Sequence, residues 1–113
     1  MTERACVVFD QHLTEYNFGL SHPMAPVRID LTMALAREIG IVDELDVVGA
    51  VPATDDELSL VHSATYIEKV HKLSDHPTYT DPSIGLGTED NPVFAHMHEA
   101  SALIAGASVE AAR

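Results

Sequence analysis

Seven histidines in 113 residues raise metal chemistry first, because imidazole is the commonest side-chain ligand for zinc-like ions. Their spacing argues against it. His96 and His98 stand two apart in a segment that reads as helix, so they point about 200° apart around its axis and cannot share an ion. His62 and His71 fall on separate predicted helices, with no acidic residue at the offset that completes a motif. His12 and His76 fall in loops. No HExxH or HxxxH pattern occurs, and one cysteine, Cys6, excludes an internal disulfide and any multi-cysteine zinc module. Nucleophile layouts are also missing: there is no GxSxG elbow and no Ser-x-x-Lys pair. Ser63 reads as a helix cap, and Cys6 as a small hydrophobe in an apolar strand. The glycines of "GLG" (85–87) do not follow a strand and open a helix, so they are not a phosphate loop. The residues alone give no catalytic group and no metal ligand set.

Two loops stand out instead. In "GLSHPMAPVRIDLTMALAREIG" (19–40), Pro26 reads as the first residue of a helix and Gly40 as its stop. Arg28 then sits in the first turn, where the helix dipole disfavours a cation by about 0.3–1 kcal/mol. A local rule broken without evident gain points to function, although an ion pair with Asp30 or a more distant acid is a competing explanation. In "GTEDNPVF" (87–94), Asp90 precedes Asn91-Pro92 at the start of another helix, where turn or capping chemistry is the plain reading.

The elements that must position these loops follow from periodicity. "ACVVF" (5–9) and "DVVGAV" (46–51) read as buried strands. Between them, a loop of about 17 residues leads into a helix from Pro26 to Ile39 with Val27, Leu31, Leu35 and Ile39 along one stripe. "TDDE" (54–57) forms a capping box that opens a short helix through Val61. A helix capped by Ser63 follows, with Tyr66, Ile67 and Val70 on its apolar face. Residues 74–92 read as loop, and the last helix, from Phe94 onward, places Phe94, Met97, Ile104 and Ala111 near one face. Its Ala, Gly and Ser residues leave room for another backbone. Two strands around a helix suggest a parallel α/β sheet, but two strands do not complete one. The chain therefore reads as the opening part of a larger fold.

The formal charge of −12 argues against a nucleic-acid partner. No apolar run approaches a membrane span, and "MTERACVVFDQ" lacks a cleavable-signal layout, so a cytoplasmic location is expected.

Taken in order, "HPMAPVRIDLTMAL", "ELSLVHSATYIEKV" and "GLGTEDNPVF" resemble the histone deacetylase family, in particular its bacterial acetoin-utilization deacetylase branch. Each motif alone is weak, but three in register are specific. The resemblance covers essentially the whole chain, residues 1–113, and about the first third of a family domain. It implies an arginase–deacetylase α/β fold, a parallel sheet flanked by helices and incomplete here. It further implies a zinc-dependent hydrolase acting on acetyl-lysine or a related small acetylamide. The family's zinc ligands, its His pair and its catalytic tyrosine would lie downstream of Arg113, so no catalytic or metal residue is expected here and the isolated chain should be inactive.

By the same resemblance, Asp90 matches a rim aspartate that accepts hydrogen bonds from substrate backbone N–H groups. His22, Pro23 and Met24 match the loop at the mouth of the substrate tube. Arg28 matches an arginine behind the zinc site, buried beside an internal channel for departing acetate. Ala25 stands where nuclear members carry a lysine that helps hold an inositol phosphate, and Asn17 and Ser21 replace a neighbouring family histidine and glycine, so that regulation is not expected. Asn91, in place of a common cysteine, favours the bacterial branch. An acetylpolyamine amidohydrolase, or a non-catalytic acidic α/β module binding a basic partner, are the rival functions. The expected partners are an acetylated lysine or small acetylated amine, together with the remainder of the domain or a complementary fragment.

Overall fold

A computed structural model describes residues 4–113; the first three residues of the segment scanned for a signal layout lie outside it. Strand β1 (Cys6–Val8) pairs in parallel with β2 (Asp46–Val48), with Cys6 opposite Asp46 and Val8 opposite Val48. Helix α1 (Val27–Glu38) lies between them in the chain, giving a β–α–β unit. Arg4 Nε meets Asp46 Oδ1 at 3.1 Å across the pair. The strands are less buried than their composition predicts: Cys6 is exposed and Val47 is half exposed. A parallel sheet is normally covered on both faces, and two short strands at the edge of an incomplete fold are not.

Helix α1 begins one residue after Pro26 and stops before Gly40, whose φ of 82° suits glycine. It buries Met33. The stripe of Val27, Leu31, Leu35 and Ile39 faces outward, each residue more than half exposed.

Helix α2 (Asp55–Leu58) opens on the expected capping box. Thr54 Oγ1 accepts the Glu57 N–H at 3.1 Å, and Glu57 Oε1 accepts the Thr54 N–H at 3.0 Å. The helix stops short of Val61 because the N–H groups of Leu60 and Val61 tighten onto carbonyls three residues back. Helix α3 (Ala64–Asp75) starts on Ser63, whose side chain accepts the Tyr66 N–H at 3.2 Å. Helix α4 (Met97–Ala112) starts three residues later than the pattern implied. His96 adopts a left-handed conformation, φ 61°, which breaks the helix from Phe94.

Phe94 thus leaves the helical face and packs with Tyr66, Val70 and Val93 against a small core of Leu73, Leu86 and Met97. Leu86, 3% exposed, comes from the Gly- and Pro-rich segment that reads as loop. Helix α4 packs against α3 and across β1. Its small residues do admit a backbone: the Ala53 N–H donates to the Ala102 carbonyl at 2.8 Å, and the 51–53 segment runs directly over Gly106.

The surface, 7839 Å², exceeds the roughly 6,100 Å² expected of a complete domain of 12.2 kDa. The radius of gyration, 16.1 Å, is likewise above about 13 Å. Both agree with an incomplete α/β fold.

Candidate functional site

The two loops singled out by sequence meet. His22 Nδ1 accepts the Met24 N–H at 3.1 Å, which leaves the ring proton on Nε2. Nε2 donates to the Asp90 carbonyl at 3.0 Å, closing a contact across 68 residues. Phe18 supports it from behind, with its ring centroid 4.8 Å from that of His22 and 5.6 Å from that of Phe94.

The Asp90 loop is held from within. Asn91 Nδ2 donates to the Gly85 carbonyl at 2.7 Å, and the Asn91 N–H meets Thr88 Oγ1 at 3.1 Å. The Gly87 N–H returns to the Asn91 carbonyl at 2.9 Å. Gly87 is required there: its φ is 92°, and an added Cβ would overlap Thr80. All these bonds use the loop's backbone and its neighbours. The Asp90 carboxylate itself is exposed and takes no hydrogen bond from any described residue. Pro23 and Met24 are exposed beside it.

Arg28 differs from expectation in one respect: it is exposed rather than buried. Its Nε donates to the Ala25 carbonyl at 3.1 Å and its Nη2 to the Tyr16 hydroxyl at 3.2 Å. No carboxylate of the described residues pairs with it; Asp30 instead accepts from Gln11 Nε2 at 2.8 Å. The ion-pair explanation of this cation is therefore not realised within these residues. The guanidinium is held by neutral oxygens, with its charge uncompensated.

Beside the two loops lies a cavity of about 180 Å³, lined by Phe18, Tyr66, Asn91, Phe94, Met97 and His98 among others. On the far side of His98 is a cluster that the spacing of the histidines did not reveal. His71 Nε2 lies 3.0 Å from Asp55 Oδ2, and His98 Nε2 lies 3.6 Å from Asp55 Oδ1. The two imidazoles stack with centroids 3.5 Å apart. Burial, and then the neighbouring His71, hold the His98 imidazolium below its ordinary pKa, against the pull of Asp55 and Glu99. The three residues come from α2, α3 and α4, so no local motif could have announced them.

Buried Ser74 ties the last two helices together. Its Oγ donates to Glu99 Oε2 and accepts the His98 N–H, both at 3.1 Å. Glu99's own backbone N–H, with help from Ser74, holds its carboxyl below the ordinary 4.5. An unfolded chain therefore binds this proton more readily, and the stabilisation present above about pH 4.5 is lost as pH falls through the folded value. The denaturant midpoint of wild type should accordingly fall more steeply in acid than that of Glu99→Gln; parallel profiles would show that the Ser74–Glu99 tie is energetically silent.

Comparison with known proteins assigns the chain to a class. A histone deacetylase domain matches residues 22–113, and the chain belongs to the histone deacetylase family. It is 41% identical over 108 residues to the acetoin utilization protein AcuC of Bacillus subtilis (strain 168), covering 93% of this chain and 28% of that protein. It is 33% identical over 115 residues to the protein of the same name from Staphylococcus xylosus, covering 99% of this chain and 30% of the relative. The chain thus spans under a third of the length of these relatives. No helix among the described residues is long and apolar enough to cross a membrane.

The residues that the resemblance sets near a catalytic zinc do not form a donor set for it. His22 has both ring nitrogens engaged in hydrogen bonds, Arg28 is a cation, and Asp90 is a lone carboxylate. No catalytic step through zinc is assigned to them.

Proposed function

We propose that this chain is the N-terminal part of a single histone-deacetylase-like domain, in a zinc-dependent enzyme that hydrolyses acetyl-lysine or a related small acetylamide. The observation that carries this reading is the His22–Asp90 bond, which joins the mouth loop to the rim loop while leaving the Asp90 carboxylate free. That carboxylate can accept backbone N–H groups of an extended substrate. Pro23 and Met24 wall the entrance, and Arg28 supplies an unpaired positive charge for the acetate that amide hydrolysis releases.

The rest of the domain, or a complementary fragment, covers the apolar surface. The exposed stripe of α1, together with Leu20, Leu60 and Val61, supports this, since apolar surface on such a scale marks a missing partner. The zinc ligands belong to that remainder, and the chain alone is inactive.

The test is hydrolysis of an acetyl-lysine peptide by the complete polypeptide of the reading frame, with and without a zinc chelator. Chelator-sensitive release of acetate is expected; a complete polypeptide with bound zinc and no amidase activity would contradict the reading. In that enzyme, Arg28→Ala should slow turnover about tenfold, the loss of one charge-assisted hydrogen bond, while zinc content stays unchanged. Normal turnover would leave Arg28 only its bonds to Ala25 and Tyr16.

A further inference from the structure

We propose that Asp55, His71 and His98 form a binding site for a divalent transition-metal ion of the zinc type, which clips α2 onto the α3–α4 pair. The site is built from this chain's own residues and does not depend on the catalytic reading above. One ligand atom from each residue lies within 4.8 Å of the other two. A tetrahedral zinc with bonds of about 2.0–2.2 Å sets its ligand atoms roughly 3.3–3.5 Å apart. The two separations involving Asp55, 3.0 and 3.6 Å, bracket that distance. The carboxylate spans the two rings, with Oδ2 toward His71 Nε2 and Oδ1 toward His98 Nε2, so the three side chains present their ligand atoms to one small region.

Convergence of this kind is held by the fold. Ser74 lies three residues after His71, one turn along α3, and grips the His98 N–H. The backbone position of His98 is therefore fixed against α3, one turn from His71. Asp56 and Glu57 follow Asp55 in the first turn of α2 and make that helix end acidic. Two imidazoles and a carboxylate suit zinc rather than calcium or magnesium, which prefer all-oxygen shells. Three protein ligands leave a fourth position for water. Because His98 also walls the cavity beside the two loops, an ion here fixes one side of that cavity.

The experiment is calorimetric titration of the chelator-stripped complete polypeptide with zinc chloride, repeated on Asp55→Asn and His71→Ala, with helicity followed by circular dichroism. One saturable equivalent beyond the catalytic ion of the proposed function is expected, this further equivalent being weakened at least about tenfold in each variant, and Co2+ should give the intense visible absorption of a tetrahedral site that each variant loses. Asp55→Asn keeps the shape of a half-exposed side chain and decides the matter if His71→Ala unfolds. Absence of this further equivalent, or its undiminished affinity in Asp55→Asn, overturns the site and leaves a His–Asp hydrogen-bond pair.

Discussion

Replacing Asp90 by alanine in the complete enzyme is expected to lower kcat/KM on an acetyl-lysine peptide by roughly 10- to 100-fold. A hydrogen bond to a charged acceptor contributes about 1.5–3 kcal/mol, and about 1.4 kcal/mol is a factor of ten. The loop should survive the change. Its internal bonds run through Asn91, Thr88, Gly85 and Gly87, and His22 holds the Asp90 carbonyl, which alanine keeps. The effect therefore isolates the carboxylate. An unchanged kcat/KM, measured on a peptide with amides on both sides of the acetyl-lysine, would remove Asp90 from substrate binding and return it to a turn former.

The second large effect concerns the fold that carries the rim. Gly106→Ala should destabilise the chain by about 3 kcal/mol or more, beyond the roughly 1 kcal/mol that alanine gains over glycine in a helix. A Cβ at this position overlaps the Val51 carbonyl oxygen and lies 2.6 Å from Ala53 N and 2.8 Å from Pro52 C. These are backbone atoms, tied to α4 by the Ala53–Ala102 bond, and they cannot turn aside as a side chain would. The connection from β2 to α2 would have to lift off α4, and Asp55 with it. Urea unfolding followed by helix signal measures this directly; a midpoint equal to that of wild type would mean that the 51–53 segment does not rest on α4 in solution.

What the sequence made legible was local chemistry. The caps at Thr54 and Ser63, the helix stop at Gly40 and the alternation of strand, helix and strand all depend on residues within a turn of one another. From the residues alone the candidate site was legible only as two separate loops, which the family resemblance set at one substrate mouth. Their meeting is a long-range contact that no local pattern encodes, and its most informative element is the tautomer of His22.

Other features were hidden for the same physical reason. The His98–Asp55–His71 cluster uses three helices, so spacing rules applied within one segment passed over it. Leu86 looked like loop because glycines surround it, yet it is the most buried residue of the core. Phe94 looked helical because its spacing to Met97 fits a helix; the left-handed His96 between them broke that register. The apolar stripe of α1 was read correctly as a stripe, but its exposure depends on what lies across from it.

The central claim is that Asp90 anchors substrate through peptide N–H groups at the mouth of a deacetylase. The most direct measurement is a cycle on the complete enzyme, using wild type and Asp90→Ala with an acetyl-lysine peptide and the same peptide N-methylated at the flanking backbone amides. Wild type should lose about 10- to 100-fold in kcat/KM on methylation, whereas Asp90→Ala should lose little further. Equal losses in both enzymes would contradict the claim.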